Sequence, residues 1–171
     1  MSLSLTVLTL LHVAISLVGI VSGLVVAAGM LAAKRFDRWT SLFLATTVAT
    51  TVTGFFFPFN GFLPSHGVGI VSLVVLPWAI YARYRRSLSG WWRPTFVVAS
   101  MIALYLNVFV LVVQLFLKVP ALYTLAPHQT EPPFQISQLF VLASFVAWTV
   151  AAVVRFRVNL APALAEPAGR A

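Results

Sequence analysis

The amino-acid sequence predicts an all-α integral membrane protein, an irregular bundle of five transmembrane helices with its N-terminus outside and its C-terminus cytoplasmic. Three observations carry that expectation. Of 171 residues, 61% are hydrophobic and only 8% charged, whereas a soluble domain carries about 25% charged residues. Five apolar runs approach or exceed the roughly 20 residues a helix needs to cross a bilayer. Nearly every basic residue lies at one set of their ends. With mean hydropathy +1.00, too little polar surface remains to cover a water-soluble globule. The strand alternation of a membrane β-barrel is absent.

The first run spans about 5–33 and is followed directly by Lys34-Arg35. No basic residue precedes it and it is too long for the core of a cleavable leader, so it reads as a retained span. His12, Ser16, Gly19, Gly23 and Ala27 recur every three or four residues along one face. Gly19 and Gly23 form a GxxxG pair, which lets another backbone approach closely. Packing within the chain is the plain reading, and a homo-oligomer through Gly19 and Gly23 the sharper one. The second run, 41–59, holds Thr46, Thr47, Thr50, Thr51 and Thr53, whose hydroxyls can bond back to their own helix. They read first as packing residues and second as a polar lining. Pro58, near its outer end, is expected to stop the helix.

The third run, 68–84, contains Pro77, which removes a hydrogen bond to Leu73 and is expected to kink the helix. The fourth run is 95–117 and the fifth 134–154. One transmembrane domain over 1–157 is expected, followed by a poorly ordered cytoplasmic tail, 158–171, rich in alanine and proline. No internal repeat is evident.

Orientation follows from charge. Lys34, Arg35, Arg38, Arg83, Arg85, Arg86, Arg93, Arg155, Arg157 and Arg170 lie on one side, and Lys118 alone on the other. The positive-inside rule makes the crowded side cytoplasmic, in a multi-pass protein of the cell membrane. Trp39, Trp91 and Trp92 suit interfacial anchors there. The charge of +8 therefore reads as orientation, and no nucleic-acid partner is expected, because no extended basic surface exists.

The remaining polar groups gather on the outer side. They are His12 in the first span, His66 at the start of the third, and His128 in the loop before the fifth. Ser100, Asn107 and Gln114 share one face of the fourth span, with Lys118 beyond them. Gln135 and Gln138 open the fifth span, and Glu131 is the one outer acid. An unpaired amide at Asn107 is costly near the midplane, so it is expected to face a partner helix, water or ligand. Prolines 127, 132 and 133 should stiffen the outer loop. Glu131 is expected to pair with Lys118, bond a histidine or bind a cation.

Three readings compete for this set. Polar residues seal helix ends in a structural subunit of a larger membrane complex. Alternatively, His12, His66 and His128 ligate a divalent metal or a haem. The third is an outer-side pocket for a quinone- or lipid-like molecule, bound by His12, His66, Asn107, Gln114, His128, Glu131 and Gln138. The leading expectation is a binding or accessory subunit with such a pocket, and a small-solute transporter or channel is the alternative. Catalysis has little support: there are no cysteines, no HExxH or phosphate-cradling motif, and no Ser-His-Asp set with a plausible buried acid, since Asp37 lies on the cytoplasmic side. No ionisable group lies at the midplane, which argues against proton-coupled transport.

Overall fold

The computed structural model describes residues 3–57 and 64–156, without the side chains of 64–66. The described chain is helical, with no strand. Its elements are α1 (Leu3–Leu31), α2 (Asp37–Gly54), α3 (Pro64–Ile80) with a wider π-helical turn at Tyr81–Arg85, α4 (Trp92–Lys118), the single turn α5 (Pro120–Tyr123), and α6 (Pro132–Arg155). Pro58 and the tail, 158–171, lie outside the described residues.

Among the described residues, four helical segments are long and apolar enough to cross a membrane: Leu3–Leu31, Gly67–Arg85, Trp92–Lys118 and Pro132–Arg155. The second expected span does not join them. Apolarity places its start at Ser41, but the helix begins at Asp37, where Thr40 bonds the Phe36 carbonyl through both its N–H (2.8 Å) and its hydroxyl (2.9 Å). Asp37 in the first turn also suits the helix dipole. The charged first turn and the threonines that follow leave α2 much less apolar than its neighbours. Its 18 residues still extend about 27 Å.

The central helix is α4, which touches all the others. The most extensive pairing joins α1 and α2, while α3 packs on α4 and α2, and α6 on α4 and α1. No contact joins α3 to α6. Close packing is concentrated toward the end where the arginines meet. There Val26 and Met30 of α1, Phe43 of α2, Ala82, and Phe96, Val97 and Leu104 of α4 form a buried core. Toward the opposite end the helices expose apolar side chains, with Leu10 66% and Phe140 73% accessible. Such surface is expected where hydrocarbon is the solvent.

At the basic end, Asp37 accepts a hydrogen bond from Arg83 and lies 3.7 Å from Arg35. The Arg86 guanidinium sits over Trp92 at 5.1 Å and Tyr81 at 5.6 Å, and Trp78 stacks on Trp92. The distortion in the third helix occurs one turn beyond Pro77, as the π-helical turn. Ser87 (φ 48°) and Leu88 (φ 59°) then take left-handed backbone consecutively, at about 1–2 kcal/mol each. Burial of Leu88, 3% exposed, and the bond from its N–H to the Ala82 carbonyl (3.1 Å) offset that strain.

Candidate functional site

The GxxxG face meets the chain's own helices. A side-chain carbon at Gly23 would lie 2.5 Å from Leu104 Cδ1 and 2.8 Å from the Phe43 ring. One at Gly19 would lie 3.2 Å from Thr46 Oγ1 and 3.7 Å from Thr47 Oγ1. Without those side chains α1 settles directly onto α2 and α4, so this face is filled within one molecule. The close approach also sets a common depth for Gly19, Thr47 and Asn107, because Asn107 Nδ2 donates to Thr47 Oγ1 at 3.4 Å.

From that level a polar seam runs away from the basic end. Ser16 Oγ donates to the His12 carbonyl at 2.7 Å and lies 3.4 Å from Thr50 Oγ1. His12 Nδ1 is 2.8 Å from Thr53 Oγ1. The Thr53 hydroxyl has one proton, directed to the Ala49 carbonyl at 2.7 Å. With the hydroxyl proton on that carbonyl, the Thr53 oxygen accepts, and the His12 tautomer that matches it carries its proton on Nδ1. That leaves the Nε2 lone pair as an acceptor. Phe57 meets the imidazole edge-on, with ring centroids 5.2 Å apart. His12 is half-buried, about 10 Å along the helix axis from Gly19.

Gln114 is exposed, two turns beyond Asn107 on the same face of α4 and about 10 Å farther out. By register it shares the depth of His12. Gln138 Nε2 donates to the Phe109 carbonyl at 3.3 Å, tying α6 to α4, while its Oε1 is buried with no partner among the described residues. Ser100 Oγ is the other such atom. Gln135 bonds the Thr130 carbonyl at 2.8 Å, which closes the start of α6 onto its own loop.

His128 and Glu131 come together, but in the loop. The Glu131 carboxylate accepts the backbone N–H groups of His128 (3.2 Å) and Thr130 (3.0 Å). Desolvation pushes its pKa upward. The backbone donors and the nearby His128 outweigh that, so the carboxyl titrates below its ordinary value. Glu131 thus braces the turn into α6. No described hydrogen bond or ion pair joins it to Lys118 or His12, and His128 is exposed. The side chain of His66 lies outside the described residues. Among those described, no group of three His, Cys, Asp or Glu side chains is placed to hold a metal ion.

Of the expected site residues, then, His12 and Asn107 meet one structure, the threonine face of α2. Thr47, Thr50 and Thr53 are the partners that sequence reasoning treated as packing. Their three-residue spacing, opposite His12-Ser16-Gly19 at similar spacing, was the available signal. Comparison of the chain with protein families, with curated proteins and with solved structures found no match.

Proposed function

We propose that the protein is a multi-pass subunit of the cell membrane that binds a small quinol- or lipid-like molecule in the outer half of the α1–α2–α4 seam. It acts as a binding or accessory protein. In this reading five helices cross, with α2 held against α1 as the least apolar of them, the N-terminus outside and the arginine-rich end in the cytoplasm. The charge asymmetry supports that orientation, and the gathering of Arg35, Asp37, Arg83, Arg86 and Trp92 at one end is consistent with it.

The observation that carries the ligand reading is the bond from His12 to Thr53. It orients the ring and, with the proton on Nδ1, leaves Nε2 as a hydrogen-bond acceptor for a ligand. Asn107 donates its amide N–H to Thr47 and keeps a carbonyl oxygen, a second acceptor. Two acceptors in apolar walls suit a hydroxyl-bearing head on an apolar body. Gln114, at the depth of His12, guards the entrance. His128, Glu131 and Gln138 hold the loop and α6 that flank it, and His66 opens the neighbouring helix.

Titration of purified protein with a short-chain quinol, followed by thermal unfolding, tests the proposal. Stabilisation of the native protein is expected, lost in His12→Ala and Asn107→Leu and retained in Glu131→Gln. Absence of stabilisation, or equal stabilisation in all variants, removes this site. An absorbance spectrum of the same preparation reads haem directly, and co-purification of a fixed set of proteins with unchanged assembly in His12→Ala favours the structural-subunit reading.

A further inference from the structure

A groove of about 210 Å³ runs between α4 and α6, away from the polar seam. We propose that it holds one acyl chain of an anionic phospholipid whose headgroup rests among the arginines at the end of the bundle. Its lining includes Ile102 and Tyr105 of α4 and Leu142, Phe145, Val146 and Thr149 of α6. Only two of these side chains carry a polar atom. The Thr149 hydroxyl already donates to the Phe145 carbonyl at 2.7 Å, so the groove presents little demand for a polar occupant.

Depth selects the occupant. Ile102 lies 10 residues from the start of α4 at Trp92, and Thr149 six from the end of α6 at Arg155. Both helix ends belong to the basic face, so the groove runs from about 9 Å inside the end of α6 to about the middle of the bilayer. From Leu142 to Thr149 it extends about 10 Å, within one leaflet's hydrocarbon of about 15 Å. Toward the basic end from Ile102, Val98 lies one turn away on the same face of α4, and Trp91, just before the helix, is 87% exposed. Since no contact joins α3 to α6, the trench is open to lipid along its side.

Charge selects the headgroup. Asp37 is the one acid at that end among the described residues, and it already engages Arg35 and Arg83. Arg85, Arg86, Arg93 and Arg155 have no carboxylate partner there. Arg86 is held over Trp92 and Tyr81, so it is pre-ordered and loses less entropy on meeting a phosphate. A zwitterionic headgroup brings no net charge to offset this set, whereas an anionic one does.

The full chain purified in mild detergent, and analysed intact by native mass spectrometry, should retain a phospholipid. Reconstitution with phosphatidylglycerol and phosphatidylcholine in competition should enrich the anionic lipid. Arg86→Gln and Arg155→Gln should each reduce that enrichment by about fivefold, equivalent to about 1 kcal/mol per arginine. Val146→Phe and Thr149→Phe, tested separately and checked for helicity by circular dichroism, should lower total retention of both lipids. Equal retention of the two lipids overturns the headgroup assignment. Unchanged retention in the folded phenylalanine variants overturns the groove, as does a lipid-free dimer that Val146→Phe converts to monomer, which would mark the groove as a contact between copies.

Discussion

The two ends of this bundle solve the same problem differently. Near the arginines, helices are drawn into contact by Phe43 and Leu104 closing over Gly23, beside the buried Phe96. Toward the other end, α1 keeps contact with α2 through single hydrogen bonds between hydroxyls and an imidazole. Apolar packing gives many weak contacts that fail together, whereas the seam relies on a few directed ones. In hydrocarbon, burial of apolar area offers little drive to association, and shape and hydrogen bonds decide. The tight end should therefore hold the fold, and the seam should tolerate local rearrangement.

Breaking the tight end should have the largest effect. Phe43, 1% exposed, leaves a large cavity when cut to alanine, and about 3–5 kcal/mol of stability should be lost in detergent unfolding. Gly23→Val forces a branched side chain against Leu104 and Phe43, both closely packed. About 1–3 kcal/mol should go, with α1 displaced. At the seam, Thr53→Val removes the partner of His12 Nδ1 at nearly constant volume. A loss of only about 0.6 kcal/mol is expected, together with a changed imidazole signal in nitrogen NMR. A Thr53→Val variant as damaging as Phe43→Ala would reverse the contrast between the two ends.

The loop responds to pH. Because the Glu131 carboxyl is depressed in the folded chain, its contribution is fully present above the ordinary carboxylate value and is lost as pH falls through the folded value. Exchange protection of the His128 and Thr130 amides should fall over that acidic window, and Glu131→Gln should flatten the dependence. The smallest effect belongs to Phe140→Ala. At 73% exposure it faces solvent or lipid, and unfolding should shift within about 0.5 kcal/mol.

Much of the helical frame was legible from apolar runs alone, since both ends of α1, α4 and α6 fall within three residues of the expected spans. The start of α2 was not, because Asp37, Arg38 and Trp39 look like a polar link until Thr40 is seen to bond Phe36. The turn α5 was hidden for a related reason. Val119-Pro120 reads as a helix stop, yet proline is accommodated at the first helical position. Among site residues, the cost of burying an amide demanded a partner for Asn107, but the threonine spacing that matches α2 to α1 did not tie Thr47 to α4 across 60 positions. Glu131 was equally opaque. A carboxylate beside a histidine suggests a ligand pair, and the backbone N–H groups that claim it leave no sequence trace.

The position of α4 among the helices bears on how the chain is built. Synthesis proceeds from the N-terminus, and early segments fold before later ones emerge. Three helical segments are made before the one on which all of them rest. The first two can already pair through Ser16, Thr50, His12 and Thr53, a provisional hairpin that needs no hub. The last helix, which rests on α4 and α1, docks onto a platform already complete, so truncation after Lys118 should leave a recognisable core whereas truncation before Trp92 should not.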